Sequence, residues 1–347
     1  MTDLHPLDID LGTVLVTGAG GPAAVTVLQS LAGHARLIAA DIDPVAVGLY
    51  LVPAAQRVLL PRGDDPRFVD ALLAAAVQHG ADVVVPTVDT ELRSVSAARA
   101  TFAAHGIDLL VEQVATLDLC LDKAVLVERC AATVRVPRTI VVNAATTAAD
   151  VEALGLPFIV KPRQGAGGRG VALLDSADAM TTVPRDGSYL AQELLPGAEY
   201  SIDVLARPDG HVVAAVPRRR DKVDSGIAVA GRTFADPELE AFGREVATLI
   251  GATGVVNVQA KLDRDGKPGL LEVNARFPGT MSLTQAAGVD MPLLAVRALR
   301  GIQIPDHIGF REVAVVRHWT EVVVPVEEYA DIPEVAARPA DALLAAR

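Results

Sequence analysis

Short apolar runs alternate with helical patterns through the first third of the chain. The runs VLVT, RLIAAD, RVLLP, DVVVPTVD and IDLLV are typical of buried strands. Segments such as PRFVDALLAAAVQHG, with a proline near the start and a glycine at the end, are typical of helices. Strands separated by helices of this length form right-handed crossovers. We therefore predict that residues 1–115 form an open α/β domain with a Rossmann-like parallel sheet.

After a helical stretch from Leu117 to about Cys130, the pattern changes to extended segments joined by turns. RTIVV, PFIVKP, GVALL, SYLAQEL, YSIDVLA and HVVAAVPR are strand candidates, and RPDG and RDGK favour antiparallel hairpins. The helical pattern DPELEAFGREVATLIG separates two hairpin regions. The middle of the chain is therefore predicted to be α+β in two lobes, residues 116–192 and 193–302. A further strand (EVAVVRHW) and a polar, alanine-rich tail make up residues 303–347.

The amino-acid composition argues against several classes of protein. The 347 residues include 31 Lys and Arg against 43 Asp and Glu, a net charge of −12. This acidity argues against non-specific binding of nucleic acid, which needs a basic surface. No run approaches 18 apolar residues, so no membrane span is expected, and the acidic N-terminus lacks a secretory pattern. The two cysteines cannot form a disulfide framework, which favours a reducing, cytoplasmic setting.

A first glycine cluster follows the first predicted strand. Gly18, Gly20 and Ala23 have the spacing G-x-G-x-x-A, and Asp41 ends the next strand. In a dinucleotide-binding domain, such a loop faces the pyrophosphate and the acid holds a ribose. The alternative is a tight strand-to-helix turn that needs only small residues, with Pro22 in the first turn of the helix. Both interpretations remain open from these residues alone.

A second glycine loop lies between two strands, in PFIVKPRQGAGGRGVALL. Its four glycines are Gly165, Gly167, Gly168 and Gly170. A flap of this kind can place its amides over a triphosphate, and Lys161 at the end of the preceding strand can reach the α- and β-phosphates. The alternative is an ordinary long hairpin with solvated arginines.

The segment VVNVQAKLDRDGKPGLLEVNARF is predicted to be a hairpin that turns at Asp265-Gly266. This turn places Gln259 opposite Glu272, and Asn257 opposite Asn274. Because side chains alternate with a period of two, one face should carry the polar residues Asn257, Gln259, Glu272, Asn274 and Arg276. The other face should carry the core residues Val256, Val258, Ala260, Leu262, Leu271, Val273 and Ala275.

Amide and carboxylate oxygens suit a hard cation such as Mg²⁺ (or Mn²⁺). A single carboxylate, Glu272, is too few for a tight site built from protein alone, so phosphate oxygens would complete the shell. Arg276, on the same face, can hold a phosphoryl oxygen. The alternative is a solvated polar face, which is common on antiparallel sheets.

In this order, the motifs resemble the ATP-grasp superfamily, and most closely its carbamoyl-phosphate-synthase-like branch, which includes amino-acid ligases. The resemblance runs from about Leu117 to Gly301 and rests on Asp122-Lys123, KPRQGAGGRG, AQELLPGAEYS, NVQ and LEVNARFPG. It implies a Rossmann-like pre-ATP-grasp domain followed by a two-lobed α+β ATP-grasp domain. In that family the N-terminal domain needs no NAD, and its loops face the acceptor substrate.

The resemblance also implies residue roles. It assigns ATP phosphates to Lys123, Lys161 and the flap glycines, the adenine hinge to Gln192, Glu193 and Leu195, ribose to Glu199, the metal to Gln259, Glu272 and Asn274, and the phosphoryl group to Arg276.

The implied activity is ATP-dependent ligation of a small carboxylate to an amine through an acyl phosphate, and family likeness is compatible with a homodimer. Two other functions remain open: an NAD(P)-dependent oxidoreductase that uses the first glycine cluster, and an ATP-binding module without turnover.

An acid substrate needs a cationic anchor, and three arginines end the strand HVVAAVP. Alternation sends Arg218 and Arg220 to one side of the strand and Arg219 to the other. We expect Arg218 and Arg220, with the following Ser225 and Gly226, to bind substrate. We expect Arg219 to join Lys161 and Arg276 in catalysis. The alternative is a solvated strand end.

Overall fold

The computed structural model describes residues 10–165, 168–224 and 227–332. The chain begins with a five-stranded parallel sheet of order β3-β2-β1-β4-β5. Its strands are β1 (Thr13–Val16), β2 (Arg36–Asp41), β3 (Arg57–Leu59), β4 (Val83–Val85) and β5 (Asp108–Leu109). Helices α1 (Pro22–Leu31), α2 (Phe68–His79), α3 (Asp89–Ala97) and α4 (Arg99–Ala104) connect them. The predicted parallel α/β sheet is confirmed.

The helical stretch after this sheet is divided into α5 (Val114–Leu121) and α6 (Lys123–Cys130). Asp122 separates them because its carboxylate caps the new helix, accepting from the amides of Ala124 (3.0 Å) and Val125 (3.3 Å). The cap fixes Lys123 as the first residue of α6.

The first lobe is a four-stranded antiparallel sheet of order β6-β9-β7-β8. It contains β6 (Thr139–Asn143), α7 (Ala148–Glu152), β7 (Phe158–Pro162), β8 (Ala172–Leu174) and β9 (Asp186–Glu193). Strands β7 and β8 form the hairpin expected on either side of the second glycine loop. The lobe has a small core of its own, which includes Val142, Phe158, Val160 and Ala191.

The second lobe is a six-stranded antiparallel sheet of order β14-β13-β10-β11-β12-β15. It contains β10 (Glu199–Ala206), β11 (Val212–Asp224), β12 (Ile227–Thr233), α8 (Pro237–Leu249), β13 (Val255–Leu262), β14 (Pro268–Asn274), α9 (Met281–Ala286), α10 (Met291–Leu299) and β15 (Ala314–Val316). Helix α8 begins at Pro237 after the cap residue Asp236 and buries its apolar stripe on one face of this sheet.

The N-terminal domain and the second lobe share one hydrophobic core. Val16 of β1 and Val27 of α1 belong to the same buried cluster as Val216 and Phe277 from the second lobe. Short 3₁₀ helices cover Val47–Leu51, Ala54–Gln56, Ala177–Thr182 and Val326–Glu328.

The C-terminal segment ties these two units together. After pairing with β12 through β15, it returns to the N-terminal domain, where Glu328 lies 3.0 Å from Arg57 and Tyr329 stacks on Tyr50. No helix in the described part of the chain is both long and apolar enough to cross a bilayer.

Candidate active site

A cavity of about 1170 Å³ opens between the N-terminal domain and the two lobes. Many of the residues predicted from sequence line it: Lys161, Gly168, Gln192, Glu193, Leu195, Glu199, Arg220, Gln259, Glu272, Asn274 and Arg276. Residues from four separate parts of the sequence therefore face one space.

The hairpin β13–β14 forms the floor of this cavity. The predicted pairs Asn257–Asn274 and Gln259–Glu272 are confirmed. The turn itself is one residue longer than predicted, because Asp263 and not Arg264 faces Lys267, with its amide donating to the Lys267 carbonyl at 2.9 Å. Between these pairs and the turn, a β-bulge shifts the register, so that Ala260 faces Leu270. The prediction that Leu271 lies on the core face is therefore wrong, because the bulge turns it to line the cavity.

The polar face of the hairpin can hold a divalent cation only if a bound molecule supplies further oxygen atoms. The Asn274 amide lies 3.4 Å from the Glu272 carboxylate, and Gln259 is directly opposite on the neighbouring strand. No group of three or more His, Cys, Asp or Glu that could hold a metal occurs among the described residues. One carboxylate and two amide oxygens are too few for a closed Mg²⁺ site, so oxygens from a bound phosphate have to complete it.

Two lysines approach the same carboxylate from different elements. Lys123, at the start of α6, places its ammonium 3.7 Å from Glu272 and donates to the carbonyl of Gly165 at 2.8 Å. Lys161, on β7, is buried and donates to the carbonyl of Leu271 at 3.3 Å. Burial lowers the pKa of Lys161 to about 8; the charge of Glu272 opposes this shift and that of Lys123 adds to it.

The segment implied for adenine and ribose lies along β9 and the start of β10. Gln192 is buried and donates to the Thr139 hydroxyl at 2.7 Å. The Glu193 carboxylate accepts from the guanidinium of Arg138 at 2.9 Å. Glu199 forms an ion pair with Arg220, and both line the cavity. Arg220 therefore lies beside the residue implied for ribose.

Two of the arginine predictions are wrong. Arg218 is 1% exposed, because it pairs with the buried Asp203 at 2.6 Å and donates to the Thr280 hydroxyl, so it cannot bind substrate directly. Arg219 lies on the opposite face of the sheet, where it faces Asp221 and lines a separate surface groove with Tyr200. Arg219 therefore cannot take part in chemistry in the cavity.

Three of the other predicted residues, Gly167, Ser225 and Gly226, lie outside the described residues. At the edges of the second glycine loop, Gly165 accepts from Lys123 and Gly168 lines the cavity. The roles predicted for the glycines of this loop stay predictions.

The N-terminal domain supplies acidic residues that the motif search missed. The Asp89 carboxylate lies 2.6 and 2.7 Å from Nε and Nη2 of Arg276, and Glu91 lines the same wall of the cavity. Both follow the carboxyl end of β4, the edge at which open parallel sheets bind ligands. That position was the available signal, but the pairing with Arg276 spans 187 residues.

The first glycine cluster has its amides already engaged. The amide of Ala19 donates to the carbonyl of Ala40 (3.1 Å), that of Gly20 to the carboxylate of Asp41 (2.7 Å), and that of Gly21 to the carbonyl of Gly18 (2.8 Å). These are the groups that a dinucleotide pyrophosphate would need. The geometry favours the tight-turn interpretation.

Comparison with known proteins agrees with this architecture. A family model described as "ATP-grasp in the biosynthetic pathway with Ter operon" matches residues 186–322, and a model for the PylC-like N-terminal domain matches residues 14–110. A D-alanine–D-alanine ligase from Gloeobacter violaceus is 30% identical over 172 residues, 42% of this chain and 56% of that protein. The large chain of carbamoyl phosphate synthase from Neisseria meningitidis is 23% identical over 194 residues, 51% of this chain and 18% of that protein.

Among solved structures, a biotin carboxylase complex with β-γ-ATP from Campylobacter jejuni has a TM-score of 0.71 at 18% identity, covering 84% of this chain and 72% of that one. The chain thus spans little more than half the length of the D-alanine–D-alanine ligase that it matches, and less of the synthase. The two family models identify an ATP-grasp domain at residues 186–322 and a PylC-like N-terminal domain at residues 14–110, and the sequence relatives and the shared fold agree with this assignment.

Proposed function

We propose that this protein is an ATP-dependent ligase that joins a small carboxylate to an amine through an acyl phosphate. One observation carries the proposal: Lys161 and Arg276 line a cavity whose floor holds the carboxylate and amides of the β13–β14 hairpin, and Lys123 lies 3.7 Å from that carboxylate. The relative from Gloeobacter violaceus is named as a ligase for two D-alanine units, which agrees with chemistry of this class.

In the proposed reaction, a carboxylate oxygen of the acid attacks the γ-phosphorus of ATP. The new P–O bond forms as the bond to the β-phosphate oxygen breaks, which releases ADP. The amine nitrogen then attacks the acyl carbon, the C–O bond to phosphate breaks, and the amine loses a proton. Phosphate and an amide are the products.

In the first step, the residues of this chain would orient the reacting groups and neutralise the charge of the phosphates. Lys161 and Lys123 neutralise the phosphates, and Arg276 lies where it can hold an oxygen of the transferring phosphoryl group. Gln259, Glu272 and Asn274 would hold Mg²⁺ together with phosphate oxygens. A bound Mg²⁺ ion would neutralise the negative charge that develops on the phosphate oxygens.

The glycine loop between β7 and β8 is the element that would exclude water from the cavity. Its edge residue Gly168 lines the cavity, and Lys161 precedes it on the buried strand β7. An acyl phosphate exposed to water hydrolyses without making product, so coverage of the cavity is part of the proposed function.

A screen for ADP release over pairs of carboxylates and amines, with mass spectrometry of the products, tests the proposal. We expect ADP formation that depends on the acid, and an amide product that depends on both partners. Release of ADP with no dependence on any acid would contradict a ligase and would leave an ATP-binding module as the function.

Equilibrium binding separates the proposal from a dehydrogenase. We expect MgATP to bind and NADH not to bind, because the amides of the first glycine cluster are engaged within the protein. Tight binding of NADH without measurable affinity for MgATP would reverse the choice.

The affinity for ATP should fall as pH rises above about 8. Lys161 has a pKa lowered to about 8 by burial, and only its protonated form attracts phosphate. Below this pH the charge is present; above it, the dissociation constant of a non-hydrolysable ATP analogue should rise by up to about tenfold per pH unit. Titration calorimetry between pH 7 and 9.5 measures the slope.

The matched variant for this measurement is Lys161→Met. It should bind the analogue more weakly than wild type at pH 7 and show a much flatter profile up to pH 9.5. A profile in the variant as steep as in wild type would assign the titration to another group.

A further inference from the structure

Arg276 is held from outside its own lobe. It follows β14, and its Nε and Nη2 atoms lie 2.6 and 2.7 Å from the two carboxylate oxygens of Asp89, the first residue of α3 in the N-terminal domain. Two parallel contacts of this kind fix both the position and the plane of a guanidinium. The pair is mostly sheltered from water, with 19% of the Arg276 side chain and 32% of the Asp89 side chain exposed.

The turn that carries Asp89 is itself held rigidly. The buried carboxylate of Glu91 accepts from the amides of Thr87 (2.8 Å) and Val88 (3.0 Å) and from the hydroxyl of Thr17, which directly follows β1. Three hydrogen bonds to one carboxylate lock the backbone that leads into α3. The position of Asp89 is thus set by the parallel sheet and not by a mobile loop.

The ion pair leaves part of the guanidinium free for a ligand. Arginine has five N–H donors. Within the described part of the chain, Asp89 takes two of them and the carbonyl of Phe277 takes a third, from Nη1 at 3.2 Å. Two donors remain, and Arg276 lines the cavity. Asp89 therefore orients the guanidinium without using all of its capacity for hydrogen bonding.

We propose that Asp89 is a positioning residue that aims Arg276 at the transferring phosphoryl group, so that the N-terminal domain takes part in phosphoryl transfer as well as in substrate binding. The proposal rests on the proposed function. Asp89 acts through Arg276: a guanidinium that lost its partner would keep its charge but lose its fixed direction. Misplacement of a catalytic group by about 1 Å can cost on the order of a hundredfold in rate.

The test is Asp89→Asn, which keeps the size of the side chain and removes its charge. The kcat for acid-dependent ADP formation should fall about 10- to 100-fold, whereas the KM for ATP should change less than threefold, because Arg276 holds only the transferring group. Asp89→Glu, which can still pair with Arg276, should restore part of the lost kcat.

A matched control comes from a second ion pair of α3, which Arg93 forms with Asp118 of α5. Asp118→Asn removes the carboxylate that pairs with Arg93 of α3, with Nε to Oδ1 at 2.6 Å, and that pair is about half exposed and away from the cavity. It should leave both kinetic constants unchanged. Equal kcat values for Asp89→Asn and Asp118→Asn would overturn the proposal.

A binding measurement decides the role of Asp89 independently of turnover. Orthovanadate with MgADP mimics the transferring phosphoryl group, so Asp89→Asn should weaken vanadate binding about tenfold while affinity for MgADP alone stays within threefold. Wild-type protein without acid-dependent ADP formation would remove the ligase proposal but leave this comparison valid. Vanadate binding that is the same in both proteins, or absent from wild type, would overturn the positioning role.

Discussion

Glu272→Gln should reduce ADP formation by on the order of a thousandfold while the protein remains folded. Glu272 is the single carboxylate on the polar face of the β13–β14 hairpin, where Gln259 and Asn274 are its nearest partners on that face. In the proposed site, removal of its charge takes away the one carboxylate that would hold the divalent ion, and such an ion supplies several kcal/mol of charge stabilisation in phosphoryl transfer. The measurement is a coupled assay of ADP release across a range of Mg²⁺ concentrations.

Glu238→Gln is the matched control for this variant. Glu238 lies in α8 of the same lobe, where it is half exposed and pairs with Lys267 in the turn of the hairpin at 2.9 Å. Its loss removes a carboxylate near the hairpin but not from the cavity, so turnover should not change. Wild-type turnover in Glu272→Gln would remove the assignment of this face to a metal.

Arg218→Met should lower the free energy of unfolding by about 3–5 kcal/mol, because it leaves the buried carboxylate of Asp203 without its charge partner. Asp203 is fully buried and accepts hydrogen bonds from Arg218 (2.6 Å), Asn257 (2.8 Å) and the Thr284 hydroxyl. Unfolding in urea measures the change.

The control is Arg219→Met at the next position, which removes an arginine of the same strand that is not buried. Arg219 is on the same strand but half exposed on the other face, so its loss should change stability by less than about 0.5 kcal/mol. Arg218→Met with the stability of Arg219→Met, combined with a raised KM for the acid substrate, would contradict the structural role and restore the original prediction of substrate binding.

Most of the fold could be predicted from local patterns in the sequence. The predicted pairing of Gln259 with Glu272 is confirmed, although the pairs nearer the turn differ by one residue, with Leu262 opposite Pro268. The alternation of polar and apolar residues therefore indicated this pairing better than the predicted turn did. The parallel sheet followed in the same way from strands and helices of ordinary length. The bulge beside Leu271 could not be predicted, since one extra residue alters the register without changing the composition of the strand.

The three arginines of β11 show the limit of what the alternation of side chains can predict. The period of two correctly separated Arg219 from Arg218 and Arg220, but it did not indicate which face meets the cavity or how deep each position lies. Arg218 is buried because Asp203, 15 residues earlier on the neighbouring strand, compensates its charge. Likewise, the contact of Asp89 with Arg276 depends on how the N-terminal domain packs against the second lobe. This packing cannot be predicted from either segment alone.

The shared core of the N-terminal domain and the second lobe indicates which part of the molecule would move in the proposed reaction. These two units are joined through common apolar packing and through the returning C-terminal segment, whereas the first lobe keeps a small core of its own. In the proposed reaction, we therefore expect the first lobe, which carries Lys161, to be the unit that moves when ADP leaves. Asp89 and Arg276 both belong to the units that share this core, so the orientation of the guanidinium proposed above would be kept whenever the first lobe moves.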